Sequence, residues 1–129
     1  MGDWAQTPVR ALAYVGDAVY ELHVRERTLR EGGNVNALHK ATVAHVSAVG
    51  QAAIAKRLVP HLTETELAVF KRARNNKGGG PRKVPPDVYQ LGTAFEALVG
   101  YLYLKPDRER LDGLLAIVDT FHKEDSHAP

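Results

Sequence analysis

The chain has 129 residues, 44% hydrophobic and 25% charged, with no cysteine and a formal net charge of +2. That length suits one domain with a genuine core, and the lack of cysteine excludes disulfides, thiolate catalysis and cysteine-bound zinc. No stretch approaches the ~20 apolar residues of a membrane-spanning helix, and MGDWAQTPVR has no apolar run behind a basic start, so the expected location is the cytoplasm.

Thr7-Pro8 reads as a helix start, with Thr7 as cap and Pro8 at the first helical position. Leu12, Val15, Val19 and Leu22 recur at helical spacing, and the helix is expected to stop at Gly32-Gly33. Asn36 is the expected cap of a second helix that carries Leu38, Val43, Val46, Val49, Ile54 and Leu58 up to Pro60. Thr63 and Glu66 form a capping box for a third helix, expected to run on to the glycines at 78–80. A fourth helix starts near Asp87 and closes at Lys105-Pro106; Asp107 caps a fifth through Phe121. Nothing alternates like a strand. The fold class is therefore all-α, a single compact helical bundle over 1–129, with its core at about 8–121 and a polar tail at 122–129.

Charge is distributed unevenly. Lys71 to Lys83 reads KRARNNKGGGPRK and holds six of the 17 basic residues and no acid, while the rest of the chain has 11 basic against 15 acidic residues. Such a cationic stretch on a mildly acidic body is the footprint of a polyanion binder. A solvated basic loop would look the same.

Two acids sit inside apolar runs. Asp17 lies between Val15 and Val19, after Gly16, and Glu21 follows on the same helical face; Glu96 lies between Phe95 and Ala97-Leu98-Val99-Gly100. Gly16 in mid-helix costs about 1 kcal/mol relative to alanine. A half-buried carboxylate is costly unless something pairs with it. If the two acids face each other, a hard cation such as Mg²⁺ or Mn²⁺ between them removes the repulsion. If they do not, each reaches an arginine or a helix terminus separately.

Leu12-Ala13-Tyr14-Val15-Gly16-Asp17-Ala18-Val19 resembles the ribonuclease III signature, and residues 93–104 resemble that family's second acidic motif. The closer similarity is to Mini-ribonuclease III, the form without a double-stranded-RNA-binding domain. Leu38-His39-Lys40, Val46-Ser47-Ala48 with Gln51-Ala52, and Lys71-Arg72-Ala73-Arg74-Asn75 are similar to it as well. The resemblance spans about residues 8–115 and implies a catalytic domain of the ribonuclease III type. It implies a homodimer that cuts double-stranded RNA with Mg²⁺, or Mn²⁺ as substitute, leaving 5′-phosphate and 3′-hydroxyl ends. By resemblance, Asp17 and Glu96 are the catalytic and metal-binding residues. Tyr14, in place of the signature phenylalanine, marks the dimer interface. Lys71, Arg72, Arg74, Asn75, Lys77, Arg82 and Lys83 are the expected RNA-binding residues, and precursor ribosomal RNA is the implied substrate. Two acids of the full-length family are replaced here, by Ala13 and Thr93. The alternative is a non-catalytic helical RNA-binding or ribosome-assembly protein, which charge and fold suit equally well.

Overall fold

A computed structural model describes residues 4–126, apart from the side chains at positions 5, 45 and 123–126. Among the described residues the chain is all-helical: α1 (Val9–Glu31), α2 (Val35–Val46), α3 (Ala48–Leu58), α4 (Glu64–Arg74), α5 (Pro86–Leu104) and α6 (Arg108–Ser126). Short 3₁₀ turns stand at Trp4–Gln6 and Val59–His61.

The second helix expected from the sequence is two. Ser47 breaks it with an extended backbone (φ −64°, ψ 157°), and its hydroxyl accepts a hydrogen bond from Gly50 N at 3.1 Å. Serine favours this capping geometry over a helix interior, so the apolar periodicity continues across a break. Asn34, not Asn36, caps α2, accepting from Ala37 N at 2.9 Å. Pro8 itself occupies the N-cap of α1, and no side chain caps that helix. The Thr7 carbonyl instead accepts from Arg72 at 2.9 Å. The α4 capping box forms as read, with Thr63 N donating to Glu66 at 2.8 Å. However, α4 ends at Arg74, before the glycines, so Lys77 stands in the connection and not on the helix. Asp107 caps α6 through Arg110 N, and α6 continues through Ser126, past the start of the expected polar tail.

α5 is the axis of the bundle. It is buried on nearly every face from Gly92 to Leu102, as a helix apolar all round must be. α1 packs along it most extensively, α3 and α4 flank it, and α6 lies against its far end. Phe95 on α5 meets Tyr20 on α1 edge-to-face, ring centres 4.8 Å apart. Glu66, buried beneath α4, takes both Nε and Nη2 of Arg110 at 2.8 Å and joins α4 to α6.

Candidate metal centre and nucleic-acid interface

α1 and α5 cross through two glycines. A Cβ on Gly16 would lie 1.7 Å from the backbone oxygen of Glu96, and one on Gly100 would lie 1.9 Å from that of Leu12. Only hydrogen fits at either position. The mid-helix glycine cost is thus offset by backbone-to-backbone contact, and this contact positions the acids. Asp17 follows Gly16, Glu96 supplies the oxygen that Gly16 meets, and their carboxyl groups come within hydrogen-bonding reach.

Burial above all, then the hydrogen bond to Asp17 and its charge, pushes the Glu96 carboxyl up to about 8; Gln51 works the other way. The buried Gln51 amide donates to Glu96 Oε2 at 3.4 Å. Among the described residues neither acid pairs with Lys or Arg, so the reading in which each reaches its own cation does not hold. At neutral pH the pair holds a proton where a cation could stand. Two carboxylate oxygens from facing helices fit a hard divalent ion that keeps most of its waters. Among the described residues no group of three or more His, Cys, Asp or Glu side chains gathers to hold a metal. Glu21 turns to Arg25 instead, at 3.2 Å. Ala13 and Thr93 are buried, and the Thr93 hydroxyl donates to the Tyr89 carbonyl at 3.0 Å.

From Glu96 a groove of about 210 Å³ runs past Gln51, Gly92 and Tyr89 to Pro81 and Val84. It joins Glu96 to the connection that carries the basic segment. Lys71, Arg72, Asn75, Lys77, Arg82 and Lys83 are exposed, and Arg74 is half-buried. Arg10 on α1, missed in the sequence, anchors this connection. Its Nη2 donates to the Gly78 carbonyl at 2.8 Å, and a Cβ on Gly79 would stand 2.4 Å from the same nitrogen. Gly78 and Gly79 take φ of 90° and 84°, where a side chain is strained.

On the other side of Asp17, Tyr14 stands out 83% exposed beside a groove of about 630 Å³. Val19, Leu22, Tyr103, Leu111 and Leu115 line that groove, with Leu22 and Tyr103 exposed.

The fold belongs to a nuclease class: the family model described as Ribonuclease III domain matches residues 10–107. The chain is 48% identical over 124 residues to the Mini-ribonuclease 3 of Gloeobacter violaceus, covering 94% of this chain and 91% of that protein. It is 49% identical over 116 residues to the Mini-ribonuclease 3 of Symbiobacterium thermophilum, covering 88% and 89%. It belongs to the Mini-ribonuclease 3 family. A crystal structure of a Fusobacterium nucleatum protein is also similar, with a TM-score of 0.84 at 32% identity over 95% of this chain and 99% of that one.

Proposed function

We propose that this chain is a Mg²⁺-dependent endoribonuclease that cuts double-stranded RNA as a homodimer. Endoribonuclease activity follows from the family. The single observation that carries the metal-dependent reading is the Asp17–Glu96 pair at the Gly16–Gly100 crossing. A protein that only binds RNA gains nothing from two acids held near a phosphate.

Asp17 and Glu96 would hold the cation. Bound there, Mg²⁺ supplies acidification of water and neutralisation of charge on the scissile phosphate. Gln51 orients Glu96 by donating to its Oε2. The exposed cations at 71–83 supply attraction to backbone phosphates, because A-form duplex is read by shape and phosphates, not base edges. No side-chain nucleophile is needed: water attacking phosphorus with the 3′ oxygen as leaving group, which takes up a proton, gives the 5′-phosphate and 3′-hydroxyl ends that the family resemblance implies.

Tyr14 and its neighbouring groove support the dimer. Under two-fold symmetry each exposed ring can seat in the groove of the other protomer, a self-complementary contact. Two sites then face the two antiparallel strands of a duplex. Precursor ribosomal RNA is the substrate we propose, on family resemblance.

Incubation of the protein with long duplex RNA and with a single strand of the same sequence, with Mg²⁺ or with EDTA, tests this reading. Cleavage of duplex confined to the Mg²⁺ arm supports it. Duplex binding without cleavage would favour the RNA-binding alternative.

A further inference from the structure

The connection between α4 and α5 is fastened at successive residues. Arg10 takes the Gly78 carbonyl, and its guanidinium lies against Gly79, where a Cβ would collide with Nη1, Nη2 and Cζ. Gly80 rests on the ring of Tyr89: a Cβ there would lie 2.8 Å from Cγ and 2.9 Å from Cδ2. Pro81 and Val84 line the groove that leads to Glu96, with Tyr89 in the same wall. Val84 N donates to the Pro81 carbonyl at 3.2 Å and closes a turn whose two central residues are Arg82 and Lys83. Lys77, Arg82 and Lys83 are exposed. The neutral residues of this segment therefore touch the body of the bundle, and the cations stand out from it. The three glycines serve here as points of close approach.

We propose that residues 78–84 form a preformed strap and that Tyr89 is its positioning residue, holding Arg82 and Lys83 in place for duplex phosphates before RNA arrives. The strap's use by RNA rests on the function proposed above; the strap itself does not. Tyr89 suits the role because it touches both ends of the arrangement. Its ring carries Gly80, and its carbonyl accepts from the Thr93 hydroxyl one turn further along α5, beside the Glu96 groove. The contact with Gly80 is made by ring carbons and Cβ, so the aromatic ring is what matters and the hydroxyl is not. A loose basic loop pays the entropy of ordering when it meets a phosphate backbone, whereas a fastened one has paid it on folding. Fixing the turn also fixes the spacing between Lys77 and the Arg82–Lys83 pair, as shape-reading of an A-form backbone requires.

The test combines limited trypsin digestion without RNA, read by intact mass, with steady-state cleavage of duplex RNA in Mg²⁺. The variants are Tyr89→Ala, Tyr89→Phe and Gly80→Ala, with melting to check that each folds. Gly80 is not among the positive-φ glycines, so alanine there displaces the strap from the ring without backbone strain and decides the matter if Tyr89→Ala does not fold. The parent and Tyr89→Phe should resist cutting after Lys77, Arg82 and Lys83. Tyr89→Ala and Gly80→Ala should be cut there about tenfold faster or more, since such cleavage follows the population of the open segment. In the same two variants KM for duplex should rise about tenfold, the scale of re-ordering one backbone residue on binding, with little change in kcat, and Tyr89→Phe should keep the parental KM. A parent digested at these sites as fast as Tyr89→Ala overturns the strap. Faster digestion with parental KM, or a loss confined to kcat, overturns the positioning role. A parent that cuts no duplex refutes the nuclease reading and with it the strap's use by RNA, while digestion still decides whether the strap exists.

Discussion

Gly16 and Gly100 form a reciprocal contact: each abuts backbone of the opposite helix, Gly16 at the Glu96 carbonyl and Gly100 at that of Leu12. Because the obstacle is backbone, no rotamer change can relieve an added methyl. Gly16→Ala should therefore push α1 from α5. Overpacking costs about 1–3 kcal/mol, partly offset by about 1 kcal/mol of better helix propensity. Melting should show a modest loss of stability. Cleavage should fall by about a hundredfold or more, as expected when catalytic groups are misplaced by ~1 Å. An active, stable Gly16→Ala protein would contradict the crossing as the positioning device.

The acid pair should give metal-free protein a pH-dependent stability. Glu96 is raised to about 8 in the folded protein by burial and by Asp17, against about 4.3 unfolded. A raised carboxyl favours the folded state fully at pH below the unfolded value, and this contribution is lost as pH rises through about 8. In EDTA the melting temperature should fall between about pH 5 and 9. Glu96→Gln should flatten the fall, and Mg²⁺ should flatten it in the parent by taking the proton's place.

Tyr14→Ala should weaken the homodimer by about 2 kcal/mol or more, as for a central aromatic anchor. Sedimentation at micromolar concentration should show a dimer for the parent and a larger monomer fraction for the variant. A monomeric parent would count against the assembly.

Arg10 should act on RNA binding through the connection it holds. Arg10→Ala should raise KM for duplex several-fold and leave kcat nearly unchanged. Neutralising Lys71, Lys77, Arg82 and Lys83 should also weaken binding, and should reduce the slope of log affinity against log salt by roughly 0.9 per lost phosphate contact, the B-DNA value. Arg72 and Arg74 are less suited to this test. One is hydrogen-bonded to the Thr7 carbonyl and the other is half-buried.

Local signals carried the fold reading well. The Thr63–Glu66 box and the Asp107 cap are written in neighbouring residues and formed as read. The break at Ser47 was hidden because the apolar spacing carries through it. The acids were legible because each interrupts an apolar run. What joins them was not: Gly100 has a role only once Leu12 lies against it, and Gln51 reaches Glu96 across 45 positions of sequence. Arg10 meets Gly78 across 68. A glycine four residues beyond Glu96, echoing the one beside Asp17, was the signal that could have marked the crossing.

The central claim is that Asp17 and Glu96 together hold the ion that supports cleavage. The most direct measurement is cleavage of saturating duplex RNA across a Mg²⁺ titration by the parent, Asp17→Asn and Glu96→Gln, with duplex affinity measured in parallel. The parent should cut in proportion to bound Mg²⁺, and both variants should bind duplex with parental affinity and fail to cut at any Mg²⁺ concentration. Parental turnover in either variant, or parental cleavage in EDTA, would contradict the account.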